Sequence, residues 1–260
     1  MTSSYAVFAQ YYDDLTQNVE YVKWADYLLE LLKRLGHQPG LTVDLACGTG
    51  TLTLELFRRG VDIYGVDASV EMLSEAKVKC AEAGADILFL RQKLQALDLY
   101  GTVNTALCTL DSLNHLHSRE EVQKAFDKVS LFMDPGGWFL FDMNTPYKHE
   151  KVLGDNIFVY DTDDVYCVWQ NHYSSRDHRV DIQLDFFQRE NEMYFRSSES
   201  FFELAYSTEE IMEMLKKSGF GQFSFFEALT FDPPSSETQR IIYAAQKISE
   251  TQIGTNRYGR

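Results

Sequence analysis

Two carboxylates and a glycine-rich turn stand where short apolar segments of the chain end. The segment Val43-Asp-Leu-Ala-Cys-Gly-Thr-Gly50 has the pattern of a strand that runs into a turn, and a helical segment follows it. Glycines in such a turn let the backbone approach a ligand closely, and the start of the helix offers free N–H groups. Asp67 follows Gly48 by 19 residues, at the end of the next apolar segment. A carboxylate in that place can accept hydrogen bonds from both hydroxyls of a ribose, so the order of these features predicts nucleoside binding.

The spacing of the glycines distinguishes between classes of nucleotide. The dinucleotide fingerprint G-x-G-x-x-G needs a third glycine at position 53. This chain has Thr53 there. A dehydrogenase that binds the pyrophosphate of a nicotinamide cofactor is therefore disfavoured.

The alternation of apolar and helical segments predicts the elements that hold these residues. From residue 41 to about 145 the pattern is typical of right-handed βαβ units. Strands are predicted at 42–46, 61–66, 86–90, 102–109, 137–142, 220–229 and 240–246, and helices at 51–59, 69–84, 118–133 and 208–218. We therefore expect an α/β fold with a Rossmann-like, doubly wound, seven-stranded and mostly parallel sheet.

Local signals mark several ends of these elements. Ser69 has the position of a helix N-cap, and Ser118-Arg-Glu-Glu121 fits a capping box. Asp134-Pro-Gly-Gly137 is predicted to form a turn before the fifth strand.

The hydrophobic period changes in residues 146–205. Segments 165–169, 180–186 and 192–204 alternate with period two around polar turns at 174–178 and 189–191. This pattern predicts an antiparallel β insertion after the fifth strand, while residues 1–145 and 206–248 form the main domain. Because the insertion leaves the sheet at its carboxyl edge, we expect it to act as a substrate lid. The aromatic-rich segment 3–35 is predicted to form a helical cap, whose rings either plug the sheet or close over a ligand.

These motifs resemble those of the class I S-adenosylmethionine-dependent methyltransferases. The matching segments are Asp44–Gly50, Gly65-Val-Asp-Ala-Ser69 with Met72-Leu73, Leu110-Asp-Ser-Leu-Asn114, and Asp134-Pro-Gly-Gly137-Trp-Phe-Leu-Phe141. Phe8-Ala9 with Tyr12-Asp13, Tyr21 with Trp24, and the strand-rich insertion resemble more closely a bacterial group whose substrate is undefined. The resemblance covers residues 5–247.

The resemblance implies a cofactor, S-adenosyl-L-methionine, and a set of residues that hold it. Its methionine end would lie on the backbone of the glycine turn with Leu110 opposite, its ribose on Asp67, and its adenine on Ala68 and Met72. Rings at the mouth could stabilise the sulfonium by cation–π contacts worth about 0.5–2 kcal/mol each. The implied cofactor-binding residues are Tyr12, Tyr21, Trp24, Asp44, Ala46, Cys47, Gly48, Gly50, Asp67, Ala68, Met72, Gln92, Leu94 and Leu110.

The sequence departs from the family pattern at two places. The family usually has an aspartate after the third strand that accepts from the adenine amino group, whereas this chain has Gln92-Lys93-Leu94, and lysine has no acceptor. We expect Gln92 or backbone carbonyls to substitute. Phe201 and Leu204 stand where relatives carry histidine and arginine, which predicts a more apolar acceptor pocket or a different acceptor.

Methyl transfer from a sulfonium is an in-line displacement, so alignment and desolvation can supply most of the acceleration. If the acceptor is a hydroxyl or a protonated amine, a base must lie near the methyl group. Asp111 and His115, after the fourth strand, are our candidate catalytic residues; Asp142 and Asn144 follow the fifth, and Asp142 could equally bind loop backbone. No metal site is predicted, because His149, His172 and His178 lack a ligand spacing.

Composition limits the choice of substrate and compartment. The 260 residues include 24 Lys and Arg against 39 Asp and Glu, a net charge of −15 that disfavours nucleic acid without excluding it. The four cysteines form no CxxC pair, no apolar run is long enough to span a membrane, and the N-terminus lacks signal-peptide features. We expect a cytoplasmic monomer or homodimer that methylates a small molecule. RNA or protein methylation, or a non-catalytic module that binds cofactor or partners, are the alternatives.

Overall fold

The computed structural model of the chain describes residues 19–248 as two β-sheets with helices around the larger one. The helices are α1 Tyr21–Arg34, α2 Thr51–Arg58, α3 Val70–Glu82, α4 Arg119–Leu131 and α5 Thr208–Lys217. The strands are β1 Thr42–Leu45, β2 Ile63–Asp67, β3 Phe89–Arg91, β4 Val103–Cys108, β5 Met133–Asn144, β6 Ile157–Asp161, β7 Val165–Ser174, β8 Arg179–Glu190, β9 Met193–Leu204, β10 Phe220–Glu227 and β11 Arg240–Lys247. Short 3-10 turns lie at Leu94–Ala96 and Ser112–His115, and a π-helical turn lies at Lys148–Leu153.

The larger sheet has seven strands in the order β10-β11-β5-β4-β1-β2-β3. Strands β1 to β5 pair in parallel, and β11 runs antiparallel between β5 and β10. This arrangement confirms the predicted Rossmann-like sheet. The strand order reverses between β1 and β4, so the carboxyl ends of these two strands border the crevice in which open α/β sheets bind ligands.

The second sheet is antiparallel, in the order β6-β7-β8-β9, and it confirms the predicted insertion after β5. The sequence prediction missed the edge strand β6. Its apolar residues Ile157 and Val159 point into solvent, so the strand lacks the apolar-inside, polar-outside alternation that identifies a half-buried strand.

Both faces of the larger sheet are buried. Phe126 of α4 packs on one face, where its ring lies 5.4 Å from that of Phe141. Leu28 of α1 and Trp138 of β5 belong to the buried apolar cluster on the other face. Burial on both sides explains why residues 106–108 of β4 and 138–141 of β5 are continuous apolar runs rather than alternating ones.

The ends of elements were predicted less accurately. Ser69 caps α3 by accepting from Met72 N–H at 3.1 Å, as predicted. The predicted capping box at Ser118 forms only in part, because the Glu121 carboxylate accepts from His117 N–H rather than from Ser118. The predicted turn at Asp134-Pro-Gly-Gly137 is wrong, since these residues belong to β5, where a register shift against β4 accommodates them.

Candidate active site

The glycine turn after β1 has an open concave backbone. Ala46, Gly48 and Gly50 all have positive φ angles, of 53°, 55° and 71°. A Cβ at Gly48 would have no heavy atom within 4 Å, so this part of the turn faces free space. A Cβ at Gly50 would lie 2.9 Å from that of Ala76, so Gly50 is required for α2 to approach α3. The turn therefore combines close helix packing with a backbone surface that a ligand can reach.

Asp67, at the end of β2, is fixed beside this turn. Its Oδ2 accepts from Gly48 N–H at 2.9 Å, and its Oδ1 accepts from Ser69 N–H at 2.8 Å. Burial raises the pKa of the carboxyl, and the backbone donors of Ser69 and Gly48 counteract that rise. The two bonds hold the carboxylate in one orientation at the carboxyl edge of the sheet, where the sequence predicted a ribose-binding acid.

Asp44 lies beneath the turn and is buried. Its Oδ2 accepts from Thr53 Oγ1 at 2.5 Å. Burial raises the pKa of Asp44 to about 7, the hydroxyl of Thr53 opposes the rise, and the charge of Asp67 adds to it. The residue that breaks the dinucleotide fingerprint is thus the hydrogen-bond donor for the acid below the turn.

A small recess opens at the carboxyl ends of β1 and β4. It is lined by Tyr21, Asp44, Ala46, Cys47, Gly48, Thr49, Thr51, Leu52, Thr109, Leu110 and Ser112. The recess thus brings together six of the predicted cofactor residues around backbone N–H groups and an acid, a set that fits the amino-acid end of the predicted cofactor.

Three predicted positions have other surroundings. The prediction that Trp24 binds the cofactor is corrected, because its side chain does not line the recess. Trp24 is 5% exposed and packs in the core with Leu28, since α1 turns that face toward the sheet. Tyr12 lies outside the described residues. Leu94 is also buried in the core.

The predicted adenine side lies along the start of α3 and the end of β3. Ala68 is exposed, and its carbonyl accepts from Arg91 Nε at 3.2 Å. Met72 is buried on α3. The side-chain amide of Gln92 exchanges two hydrogen bonds with the backbone of Asp98, at 2.8 and 2.7 Å. Gln92 therefore orders its own loop, which weakens its predicted role as the acceptor for the adenine amino group.

A second, larger cavity of about 360 Å³ lies between the antiparallel sheet and the carboxyl edge of the larger one. Its walls carry apolar and aromatic side chains, mainly from the insertion: Val19, Val152, Leu153, Phe158, Tyr160, Cys167, Trp169, Leu184 and Phe201. Its floor carries polar side chains: Asp111, His115, Asn144, Lys148, Glu203 and Arg240. Leu110 lines both this cavity and the recess. Phe201 thus lies in an apolar wall above a polar floor, and Leu204 does not line this cavity.

Arg240, at the start of β11, joins the two acids that follow β4 and end β5. It donates to Asp111 Oδ1 at 2.6 Å and to Asp142 Oδ2. Asp142 also accepts from the N–H groups of Leu110 at 2.6 Å and Asp111 at 3.0 Å. Both of these residues have positive φ, a strain of about 1–3 kcal/mol each that these bonds help to offset. Asp142 therefore has the loop-binding role that was one of its two predicted roles.

Burial and charge set the acidity of this group. Burial would raise the pKa of Asp111, but Arg240 and Lys148 together hold it well below its usual range. Burial raises the pKa of Asp142, which Arg240 opposes. Asp111 is accordingly a fixed negative charge and a weak base.

The rest of the floor is a hydrogen-bonded set around Asn144. Asn144 Nδ2 donates to Asp111 Oδ2 at 3.0 Å and to Glu203 Oε2 at 3.1 Å, and its Oδ1 accepts from Lys148 Nζ at 2.8 Å. Asn114 Nδ2 donates to the carbonyls of Asn144 and Leu204, at 3.1 and 2.8 Å. These contacts fasten the end of β9, and with it the insertion, to the larger sheet.

Asp111, His115 and Glu203 place one ligand-type atom each within 4.8 Å of one another. This is a geometry that could hold a cation. Asp111 is already paired with Arg240, and the structure places Glu203 next to His115, at 3.8 Å between Oε1 and Nε2.

Sequence reasoning missed the roles of Arg240, Lys148, Glu203 and Thr53. Arg240 lies 129 and 98 residues from the two acids that it contacts, and Glu203 lies 59 residues from Asn144, so no local spacing relates them. Lys148 lies only four residues from its partner Asn144. Thr53 differs, because it lies nine residues after Asp44 and one helical turn beyond the glycines. That spacing could have indicated the contact.

The chain is similar to known methyltransferases. Residues 42–137 match a family model described as a methyltransferase domain. A protein of Bacillus subtilis (strain 168), YqeM, which carries a provisional methyltransferase name, is 32% identical over 94% of this chain and 97% of its own. The crystal structure of a S-adenosylmethionine-dependent methyltransferase from Clostridium acetobutylicum ATCC 824 has a TM-score of 0.85, with 33% identity over 95% of this chain and 100% of that one. S-adenosylmethionine-bound CalS10, an amino pentose methyltransferase from Micromonospora echinaspora, shares the fold, with a TM-score of 0.69 and 16% identity over 89% of this chain and 93% of its own.

Proposed function

The chain belongs to the class I S-adenosylmethionine-dependent methyltransferases, and on that premise we propose that it methylates a small molecule bound in the cavity beneath its insertion. Its cofactor is S-adenosyl-L-methionine, which supplies an activated methyl group on a sulfonium.

The position of Leu110 carries this proposal. Leu110 lines both the recess, which fits the methionine end of the cofactor, and the cavity, so the two compartments adjoin at this residue. An in-line displacement needs the sulfur and the acceptor atom on opposite sides of the migrating methyl group. Before reaction, the acceptor atom must lie about 3–3.5 Å from the methyl carbon. Two adjoining compartments at the carboxyl edge of β4 meet that need.

We assign cofactor binding to the recess and to Asp67. The backbone of Ala46 to Gly48 holds the methionine end, and Asp67 accepts from the ribose hydroxyls. Tyr21 lines the recess and is the described residue best placed to put a ring near the sulfonium. Asp44 adds negative charge beneath it.

Two residues of the cavity floor are assigned to the reaction. His115 is 40% exposed at its side chain and lines the cavity, where it can take a proton from the acceptor. Asp111 is held as an anion by Arg240 and supplies electrostatic stabilisation rather than proton transfer. Alignment and exclusion of water by the insertion supply the rest of the acceleration.

The shape of the cavity favours a small acceptor. Its floor lies beneath the antiparallel sheet, and apolar side chains form its walls, which suits a compact molecule better than a folded RNA. The net charge of −15 also disfavours a polyanion. In the described residues, no helix is long and apolar enough to span a bilayer. We place the transfer reaction in the cytoplasm.

Calorimetry tests the cofactor site, and transfer of a labelled methyl group tests the acceptor. We expect micromolar binding of S-adenosylhomocysteine and no binding of NAD. A screen with methyl-labelled cofactor and pooled metabolites should label small molecules, and the Asp111→Asn and His115→Ala variants should lower that labelling without losing cofactor affinity. Label found only in RNA or protein would contradict the proposed acceptor, and binding of neither ligand would favour a non-catalytic module.

A further inference from the structure

Glu203 is a buried carboxylate with one oxygen left for a ligand. Its side chain, near the end of β9, is 5% exposed. Oε2 accepts from Asn144 Nδ2 at 3.1 Å, and His149 Nε2 lies 3.3 Å from it. No residue of 19–248 donates a hydrogen bond to Oε1, which faces the cavity. Because Oε1 borders the cavity, a ligand that enters the cavity and donates a hydrogen bond can bind this charged acceptor.

The distance between Glu203 and His115 fits one bridging atom. Glu203 Oε1 and His115 Nε2 are 3.8 Å apart, too far for a hydrogen bond between them. A nitrogen that lies about 2.9 Å from each atom fits between two groups at this separation. A ligand nitrogen with two or more N–H groups could therefore donate to both atoms.

The charges of the floor favour a cation over an anion at this point. Arg240 is paired with Asp111 and Asp142, and Lys148 donates to the amide oxygen of Asn144. The three carboxylates Asp111, Asp142 and Glu203 thus face one arginine and one lysine, and the imidazole of His149 lies on the Oε2 side of Glu203, away from Oε1. A phenolate or carboxylate placed against Glu203 would be repelled, whereas an ammonium group would be attracted.

The walls define the rest of the ligand. The ring of Trp169 lies 5.8 Å from that of Phe158 and 6.2 Å from that of Tyr160. Phe201 lies 5.3 Å from the ring of His115, so aromatic surface continues to the polar floor. Aromatic side chains at these separations can pack on a flat apolar body.

Resting on the methyl transfer proposed above, we propose that the acceptor is a primary or secondary amine on an aromatic or otherwise flat apolar body. Its nitrogen binds between Glu203 Oε1 and His115 Nε2, and its body lies against Trp169 and Phe201.

The proton and electron balance of the transfer follows from this placement. The acceptor enters as an ammonium ion, and one N–H proton passes to His115 Nε2 while another stays hydrogen-bonded to Glu203. The nitrogen lone pair then forms the C–N bond as the methyl group leaves sulfur, and the S–C electron pair remains on the thioether. The product leaves as a methylated ammonium ion, and His115 releases its proton to solvent.

A set of three probes with one body tests the choice of head group without turnover. We use 2-phenylethylamine, 2-phenylethanol and phenylacetate, and follow the fluorescence of Trp169 in the protein saturated with S-adenosylhomocysteine. The Trp169→Phe variant identifies the signal from the cavity, because Trp24 and Trp138 are buried in the core. The amine should bind at least about tenfold more tightly than the alcohol, and the acid least tightly.

Two matched substitutions on β9 locate the binding group. Glu203→Gln should weaken amine binding about tenfold or more and leave the alcohol within about threefold. Glu199→Gln removes a buried carboxylate from the same face of the same strand, outside the cavity lining, and should leave both affinities unchanged.

Several results would overturn the proposal. They are equal or tighter binding of the alcohol or the acid, no response to any of the three probes, or amine binding that a chelator abolishes and Mn²⁺ restores. The last result would assign Asp111, His115 and Glu203 to a metal ion. Calorimetry with S-adenosylhomocysteine on the same samples separates the two hypotheses, because loss of cofactor binding contradicts the methyltransferase function, whereas a wrong probe order contradicts only the amine.

Discussion

Replacing Asp67 by alanine tests the cofactor site most directly. The carboxylate is held by Gly48 N–H at 2.9 Å and Ser69 N–H at 2.8 Å, which leaves further lone pairs of both oxygens for the ribose hydroxyls. Hydrogen bonds to a charged group contribute about 1.5–3 kcal/mol, so the Kd of S-adenosylhomocysteine should rise about 10- to 150-fold in Asp67→Ala.

The substitution also removes the acceptor for two backbone N–H groups, and a second ligand separates that effect. A 2′,3′-dideoxy analogue of S-adenosylhomocysteine cannot donate to Asp67, but it still needs the ordered glycine turn. We expect calorimetry to show the wild-type protein preferring the natural ligand and Asp67→Ala binding both ligands about equally.

Asp62→Ala serves as the control. Asp62 is an exposed aspartate just before β2, at the opposite end of that strand from Asp67. Its replacement should leave both affinities unchanged. If Asp67→Ala weakens the two ligands by the same factor, Asp67 acts only through the turn and the ribose assignment is wrong.

Three further predictions concern charge and packing. Asp44, with a pKa of about 7, is about one-tenth ionised at pH 6 and about nine-tenths ionised at pH 8. The affinity for the positively charged cofactor, measured by calorimetry, should therefore rise up to about tenfold over that range, and Asp44→Asn should abolish the rise. A parallel rise in the variant would contradict this prediction. Arg240→Met leaves two buried carboxylates unpaired and should cost about 3–5 kcal/mol in urea unfolding at pH 7. The pKa of Asp111 is lower in the folded than in the unfolded state, so the stability that it contributes is present above about pH 4 and is lost as the pH falls through the folded pKa. The loss of stability in Arg240→Met should therefore shrink in acid. A loss that does not depend on pH would refute the pairing. Phe126→Ala should lower the free energy of unfolding by about 3–5 kcal/mol, as its ring is fully buried, whereas Leu131→Ala at an exposed position of the same helix should have little effect.

The features that the sequence predicted well depend on neighbours along the chain. The glycine turn, the cap at Ser69 and the acid at Asp67 each depend on a strand followed at once by a turn and a helix, so their positions follow from local pattern. The seven-stranded sheet could be predicted because its strands are buried on both faces and separated by amphipathic helices. Asp134 to Gly137 were predicted to form a turn because proline and glycine indicate one, whereas they continue β5 through a register shift against β4, which is a tertiary effect.

The cavity floor could be predicted only in part, because its partners are distant in sequence. Asp111 and Arg240 are 129 residues apart, and Asn144 and Glu203 are 59 apart. Their proximity depends on β11 lying beside β5 and on the register of β9 over the sheet, neither of which a periodicity reveals. Trp24 was misassigned for a related reason: its residue type suits a ligand mouth and a core equally, and only the rotation of α1 decides between them.

Most of the cavity floor comes from the larger sheet and its turns, with Lys148 and Glu203 as the exceptions, whereas the walls come mainly from the insertion, and this division bears on how the protein could diversify. Strands and turns of the larger sheet supply Asp111, His115 and Arg240, while the rings of Phe158 and Trp169 come from the inserted sheet. Mutations in the inserted sheet can therefore reshape the space for a new compound while the proton-handling groups keep their places. Divergence of substrate range within such a lineage should be concentrated in residues 157–201, and grafting this segment between homologues offers a practical route to redirected methylation.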